Sequence, residues 1–195
     1  MEREEIESKY SIRKLQNGED THLFDCGDED LNDFILNEAK LYRKELLAVS
    51  YVLEQVESHL VHAYFSMAND RISLADFESK TEFNRFRKVR FVNEKRMKSY
   101  PAVKLCRLAV DRTLKGHSIG TYLLNFIKSF FVVNNKTGCR FLTVDAYAPA
   151  IPFYEKNGFV LLNDDDIDAP TRLLYFDLRI LLMDLIRIEL NQSRT

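Results

Sequence analysis

Residues 107–124 read RLAVDRTLKGHSIGTYLL, and this stretch decides the fold. An apolar run ends at Asp111, a loop with two glycines follows, and apolar residues then resume at helical spacing. The pattern predicts a buried strand over 102–110 and a helix that starts near Ile119. A glycine-containing loop at a helix start presents free backbone amides at the positive end of the helix dipole. The stretch therefore predicts an anion site, best suited to phosphate.

The loop by itself does not identify the phosphate compound. No G-K-[ST] follows the second glycine, so the loop is not a P-loop, and its spacing is not G-x-G-x-x-G. These departures disfavour ATP and NAD. Coenzyme A remains open, and so does a glycine turn that binds nothing.

The composition describes a soluble globular chain without a redox or membrane signature. The chain has 195 residues, 46% of them hydrophobic, which suffices for one large domain or two small ones. Its net charge of -2 does not predict a nucleic-acid binder overall. The three cysteines are too widely spaced for a disulfide framework or a zinc knuckle. The chain starts with the charged stretch MEREEIESKY and has no apolar run near 20 residues. Together with the cysteine spacing, these features predict a cytoplasmic protein that does not bind a membrane.

The remaining patterns predict an α+β fold with a mixed sheet. The expected elements are a strand at 10–15, a helix over 26–46, a hairpin over 46–68, a helix over 119–133, a strand at 139–147, a helix at 149–158 and a hairpin over 159–178. Residues 69–100 are polar and irregular, and 179–190 fit a strand or a helix.

Capping and periodicity add detail to the two long helices. Asp28 is the expected N-cap of the first helix. The residues expected on the buried face of that helix are Leu31, Phe34, Ile35 and Leu46. Those expected for the second are Ile119, Leu123, Ile127 and Phe130 or Phe131.

A second motif lies about thirty residues after the loop, where the stretch LTVDAYAPAIPFYEKNGF carries Tyr154. Together the two motifs resemble the GNAT superfamily of acyl-CoA-dependent N-acyltransferases. The family's Q/R-x-x-G-x-G/A loop is matched by KGHSIG, and its A-x-x-F-Y-E-K-x-G-F by Ala150 to Phe159. The resemblance covers roughly residues 10–178. RLAVD, FYEKNGF and the opening FDCGDEDLNDFILNEA are especially similar to the branch that contains tRNA-acetylating toxins.

The resemblance implies a GNAT-like mixed, central, splayed sheet flanked by helices. The chain would be a single domain over 1–195, with a basic insertion at about 69–100 and a C-terminal extension at about 179–195. Acetyl-CoA would be the co-substrate, lying between the strands 102–110 and 139–147. The cofactor-binding residues implied are Leu108, Ala109 and Val110 for the pantetheine arm, Lys115, Gly116, His117, Ser118, Ile119, Gly120 and Thr121 for the pyrophosphate, and Phe153.

Tyr154 would be the catalytic residue, protonating the leaving thiolate after direct attack by a neutral amine. A phenol with a pKa near 10 suits a thiol with a pKa of about 8.5. No general base is assigned. Three positions depart from the family. Lys115 replaces the usual Gln or Arg but keeps a positive charge, and Tyr147 replaces a common asparagine. Ser118 replaces a glycine, which suits the loop provided that a positive φ is not required and that its Cβ clears the pyrophosphate, to which its hydroxyl could then donate.

Other features have plainer interpretations. His59 and His62 should face opposite sides of a strand, and we expect no metal. Cys106 is interpreted as a buried strand residue, and the acidic run 164–166 as a solvated turn. The segment 80–98 mixes basic and aromatic residues, which fits either RNA binding or an amphipathic insertion that packs its phenylalanines.

The function predicted from the motifs is acetyl transfer from acetyl-CoA to a primary amine. A narrower hypothesis is a toxin that acetylates aminoacyl-tRNA and is blocked by an antitoxin. A third is a non-catalytic module that binds acyl-CoA or RNA. The acceptor stays unknown, and the chain is expected to be a monomer or a homodimer.

Overall fold

The computed structural model describes residues 1–16, 18–19, 21, 23–92, 97–133, 137–164 and 166–192, with only the backbone described at 189–192. The helices are α1 (Arg3–Lys9), α2 (Glu29–Asp33), α3 (Ala39–Lys44), α4 (Lys80–Arg90), α5 (Ile119–Val132), α6 (Ile151–Lys156) and α7 (Leu178–Gln192). The strands are β1 (Tyr10–Lys14), β2 (Val49–Gln55), β3 (Val61–Ser73), β4 (Ser99–Val110), β5 (Phe141–Tyr147), β6 (Val160–Leu161) and β7 (Thr171–Asp177).

These strands form a seven-stranded mixed sheet in the order β1-β2-β3-β4-β5-β7-β6. β4 and β5 run parallel, with Ala102 opposite Phe141 and Lys104 opposite Thr143. Antiparallel pairing joins β1 to β2, β2 to β3, β5 to β7 and β6 to β7. The α+β class and the mixed sheet expected from the sequence are confirmed.

The chain divides into two compact units, and β3, β4 and α5 each contribute residues to both. The first unit comprises residues 1–68 and 105–127. Its core contains Phe24, Phe34, Val52, Tyr64 and Ala109, each less than 5% exposed. α5 adds an apolar face in which Ile119, Leu123 and Ile127 are almost fully buried, as their helical spacing predicts.

The second unit comprises the described residues of 69–104 and 128–195. Its core is mostly aromatic, and Phe83, Phe86, Tyr100, Phe141 and Tyr175 form a continuous cluster of ring contacts. Two of these rings come from α4, which occupies much of the stretch that the sequence left unassigned.

The structure departs from the sequence-based expectations at the end of the first helix and at the two histidines. The first helix is interrupted by a π-turn at Phe34–Glu38 and ends at Lys44, so Leu46 lies beyond it, 93% exposed and at φ 57°. Of the two alternatives for the buried face of α5, Phe130 is 46% exposed and Phe131 is half-buried. His59 lies before β3 at φ 59°, where its Nδ1 is 2.8 Å from Glu54 Oε1, so the two histidines do not share a strand. Residues 178–192 form a helix, which decides between the two forms left open.

Candidate active site

The predicted phosphate loop lies in the first unit, between the end of β4 and the start of α5. Asp111 caps a 3₁₀ turn at Arg112–Leu114 by accepting hydrogen bonds from the Thr113 amide at 2.9 Å and the Thr113 hydroxyl at 2.7 Å. Its other carboxylate oxygen accepts from the Asp25 amide at 3.1 Å. Burial would raise the pKa of Asp111, but these hydrogen bonds outweigh it and the pKa is lowered. Asp111 is thus an ionised structural anchor.

The start of α5 has the free amides that an anion site needs. The first intrahelical bond joins the Tyr122 amide to the Ser118 carbonyl at 3.0 Å, so the amides of Ile119, Gly120 and Thr121 have no helical acceptor. The four residues before α5, Lys115 to Ser118, are all exposed. A Cβ added at Gly116 would meet nothing within 4 Å, so the loop leaves space beside its backbone. The loop therefore fits a pyrophosphate group.

Ser118 has a positive φ of 63°, and Gly116 has one of 81°. A serine suits position 118 only if a positive φ is not required there. The structure places it in the left-handed region, which costs an L-residue about 1–2 kcal/mol. Ser118 therefore holds a glycine conformation at the start of α5.

A set of contacts that the sequence did not reveal ties the loop to the segment before α2. Arg112 donates from its backbone amide to the Asp25 carbonyl at 2.9 Å, and its guanidinium lies 3.2 Å from the Asp25 carboxylate. Asp25 also accepts from the Gly27 amide and the Asn32 side chain, both at 2.8 Å. The hydrogen bond from Asn32 and then that from Gly27 lower the pKa of Asp25. The FDCG motif therefore braces the loop.

The residues predicted to hold the pantetheine arm also belong to the first unit. Leu108 and Val110 are half-buried, and Ala109 is 4% exposed within the core of that unit. The parallel pairing of β4 with β5 joins Ala102 to Lys104 with Phe141 to Thr143, before the three predicted residues.

Tyr154 and Phe153 lie in the second unit, on the short helix α6. The C-terminus of α6 is a Schellman motif in which the Phe159 amide donates to the Tyr154 carbonyl at 3.1 Å and the Gly158 amide to the Glu155 carbonyl at 2.8 Å. Gly158 has the left-handed φ, 81°, that this motif requires. The Phe159 and Tyr154 rings meet edge to face with centroids 5.5 Å apart, which is the apolar contact typical of the motif.

The environment of Tyr154 keeps its phenol protonated. The side chain is 8% exposed, and burial raises its pKa to about 12. Among the described residues its hydroxyl has no hydrogen-bond partner. The hydroxyl is thus an uncommitted donor on a fixed helix.

The acidic side chains near these motifs are engaged or exposed. Asp145 forms an ion pair with Lys104, Asp111 is committed as described, and Glu155 is exposed. Tyr147, at the position of the family's asparagine, is 64% exposed. Within the described ranges no cluster of three or more His, Cys, Asp or Glu residues is arranged to hold a metal ion.

The remaining sequence features take up structural roles in the second unit. Phe83 and Phe86 are buried and Phe91 stacks on Tyr100 at 4.0 Å, so the phenylalanines of 80–91 are packed, as the amphipathic interpretation expects. Residues 93–96 of that segment lie outside the described ranges. In the acidic run, Asp164 is exposed, as a solvated turn predicts, and both Asp164 and Asp166 form ion pairs with Arg172; Asp165 lies outside the described residues.

Comparison with known proteins agrees with both motifs. The sequence model of the acetyltransferase (GNAT) domain matches residues 84–161, which contain the phosphate loop and Tyr154. No helix in the described part of the chain is both long and apolar enough to cross a membrane.

Three solved structures share the fold. A tyrosine-to-phenylalanine variant of KacT is 22% identical over 90% of this chain and 98% of its own, with a TM-score of 0.72. AtaT in complex with acetyl-methionyl-tRNAfMet is 24% identical over 90% and 99%, with a TM-score of 0.69. A tyrosine-to-phenylalanine variant of the AtaT toxin, bound to the C-terminus of the antitoxin AtaR and to acetyl-CoA, is 23% identical over 91% and 98%, with a TM-score of 0.64.

Proposed function

We propose that this chain, whose residues 84–161 match the acetyltransferase (GNAT) domain model, is an acyl-CoA-dependent N-acetyltransferase that acetylates the amine of an aminoacyl-tRNA, with Tyr154 as the general acid. The observation that supports this proposal most directly is the Tyr154 hydroxyl, a protonated donor without a partner among the described residues. Acetyl-CoA supplies the acetyl group as an activated thioester.

The loop residues Lys115 to Thr121 bind the pyrophosphate in this proposal. The amides of Ile119, Gly120 and Thr121 point along the start of α5, where the helix dipole favours an anion. Lys115 adds a positive charge and is exposed. The backbone groups of 108–110 hold the pantetheine arm, and an amide among them polarises the thioester carbonyl.

Tyr154 donates a proton to sulfur as the carbon–sulfur bond breaks. Its pKa of about 12 exceeds the reference thiol value of about 8.5, so transfer to a fully hydrated thiolate is unfavourable. The burial that raises the phenol pKa also destabilises a thiolate in the same surroundings, which narrows the difference. The raised pKa excludes Tyr154 as a base near neutral pH.

The acceptor and partner are proposed from charge and from the related proteins. Lys80, Arg85 and Lys88 are exposed on α4 and suit phosphate contacts, whereas the packed phenylalanines do not serve as stacking platforms. AtaT is known with an acetylated aminoacyl-tRNA and with an antitoxin. By analogy, this protein would be a toxin that a protein antitoxin blocks. Its three cysteines form no disulfide, which suits a cytoplasmic location.

The test is CoA release with a panel of amines, free and tRNA-borne, for the wild type and Tyr154→Phe. We expect the substitution to lower kcat by about 10²–10⁴-fold. Stability should change by less than about 0.5 kcal/mol, because the hydroxyl has no partner. Intact turnover in Tyr154→Phe would remove the acid role.

The same assay distinguishes the competing functions. Acetylation of free amines but not of aminoacyl-tRNA would show that the protein is an acetyltransferase whose acceptor is not aminoacyl-tRNA. Tight acetyl-CoA binding without turnover on any acceptor would instead indicate a non-catalytic binding module. Expression that does not slow growth would contradict the toxin assignment.

A further inference from the structure

Lys128 is a buried cation that the reaction described so far does not use. It lies on α5 and is 7% exposed. Lysine is rarely buried to this extent unless it is paired. No carboxylate lies within ion-pair distance of it among the described residues. Burial lowers the pKa of Lys128 to about 8, so the ammonium form predominates at neutral pH.

The contacts of Lys128 converge on the end of α6. Its Nζ donates to the Asn157 carbonyl at 2.5 Å. Asn157 is the C-cap of α6, so its carbonyl is one of the helix-end acceptors that α-helical bonding leaves open. A cation at a helix C-terminus also interacts favourably with the helix dipole. The ammonium lies 4.2 Å from the centroid of the Phe176 ring and 5.5 Å from that of Phe159.

Two of these residues, Asn157 and Phe159, contact Tyr154 directly. Phe159, 1% exposed, donates from its amide to the Tyr154 carbonyl and contacts the Tyr154 ring. The Asn157 side chain donates to the Phe153 carbonyl at 2.8 Å, and the Asn157 amide bonds the Tyr154 carbonyl at 3.0 Å. α6 has only six residues and is too short to hold its geometry alone.

We infer that Lys128 is a positioning residue for Tyr154, holding the C-terminal turn of α6 through the Asn157 carbonyl and the Phe159 ring. The inference rests on the proposed function, because Tyr154 is the proposed acid. An apolar side chain of similar length would fill this space without the desolvation cost of an ammonium. What the cation adds is a directed contact with the helix end.

The first experiment compares Lys128→Met with Lys128→Arg. Lys128→Met removes the donor and the charge while keeping most of the volume. We expect kcat for CoA release to fall by about tenfold or more, the scale on which small misplacements of a catalytic group act. KM for acetyl-CoA should stay within about twofold, because the phosphate loop is untouched. Lys128→Arg, which keeps a donor and a charge, should recover part of the loss.

The matched control is Lys156→Met. Lys156 lies in the last turn of α6 and is exposed, so its substitution removes the same charge from the same helix end. Its kcat should stay within about twofold of the wild type. An equal loss in both variants would overturn the inference in favour of a general electrostatic effect.

A double variant separates positioning from a structural role. If Lys128 acts through Tyr154, adding Lys128→Met to Tyr154→Phe should leave the residual rate of Tyr154→Phe unchanged. An additive loss, or an unchanged kcat in Lys128→Met alone, would contradict the inference.

A readout without turnover keeps the inference distinct from the proposed function. Hydrogen exchange should become about tenfold faster or more at the amides of 157–159 in Lys128→Met, and not in Lys156→Met. If the wild type turns over no acceptor, the proposed function fails, while faster exchange in Lys128→Met still shows that Lys128 holds the C-terminal turn of α6. Unchanged exchange would overturn the inference that Lys128 holds this turn.

Discussion

Two residues in this protein are held in a state that their type disfavours, one in its backbone angle and one in its burial. Ser118 carries a left-handed φ at the start of α5, and Lys128 carries a charge into an aromatic core. Such departures cost free energy that the surrounding structure must compensate, and they concentrate at functional positions. Each can be tested by a substitution that removes only the unfavourable property.

Ser118→Gly should stabilise the protein by up to about 1 kcal/mol, because the left-handed penalty of about 1–2 kcal/mol exceeds the extra chain entropy of glycine, about 0.5–1 kcal/mol. Urea denaturation measures this change. Ser118→Ala keeps the Cβ and removes the hydroxyl, so it should show no gain. Equal stability of the two variants would contradict the strain argument. A weaker affinity for acetyl-CoA in both would identify the hydroxyl as a phosphate donor.

The stability contribution of Lys128 should depend on pH. Its pKa is about 8 in the folded chain against 10.5 for a free lysine, so the unfolded chain binds more protons between these values. Stability should therefore rise with pH across this window. Lys128→Met has no ammonium to titrate. Between pH 8 and 10.5 the unfolding free energy of the wild type should therefore rise relative to that of the variant. A difference independent of pH would contradict the lowered pKa.

At the scale of elements, the two motifs are held by different devices. The loop before α5 is braced by Asp111 and by the Asp25–Arg112 contacts, whereas α6 ends in a Schellman motif. Both rely on a glycine with positive φ, Gly27 in the first and Gly158 in the second. A Cβ at Gly27 would also lie 2.7 Å from Arg112 Nε.

Gly27→Ala should destabilise the protein more than Gly18→Ala. Both glycines have a φ near 80°, but Gly18 has nothing within 4 Å of its Cβ position and reports the backbone strain alone, about 1–2 kcal/mol. Displacing Arg112 from Asp25 adds to this loss in Gly27→Ala. Calorimetric titration should show weaker acetyl-CoA binding in that variant only. Equal effects of the two substitutions would mean that Arg112 does not brace the loop.

At the scale of the whole molecule, the distribution of charge is uneven. The chain has a net charge of -2, yet the eleven residues of α4 include five Lys or Arg and one Glu. Arg87 and Arg90 lie over the Phe83 and Phe86 rings, which leaves Lys80, Arg85 and Lys88 exposed. The surface available to a phosphate backbone is thus smaller than the sequence suggests.

Binding to aminoacyl-tRNA should weaken as salt is raised, and Arg85→Glu with Lys88→Glu should weaken it further. Loss of two phosphate contacts should reduce the slope of log K against log salt by about 1–2. Filter binding over a salt series measures this slope. Lys14→Glu, an exposed change on β1, is the control and should leave it unchanged. A slope unaffected by the α4 substitutions would place the RNA elsewhere.

Short-range patterns predicted most of the fold. Apolar periodicity located the long strands and α5, and Asp28 was correctly identified as a cap. KGHSIG and FYEKNGF both lie within the stretch that the GNAT domain model matches. The wrong predictions were also made from short-range patterns. Leu46 fitted a helical face, but the helix ends before it. Residues 69–100 lacked a clear pattern because α4 mixes buried aromatic residues with charges on both its faces.

The sequence alone therefore determined which functional groups and local motifs the protein has, because turn residues, caps and motif spacing depend on neighbours in the chain. The tertiary structure decided what those residues do. Asp25 meets Asp111 across 86 residues, and Lys128 meets Asn157 across 29. Burial, a shifted pKa and the contact of Lys128 with the end of α6 all depend on partners distant in sequence, so no local pattern predicts them. Tyr154 was found as a motif residue, but its protonation and support come only from the folded chain.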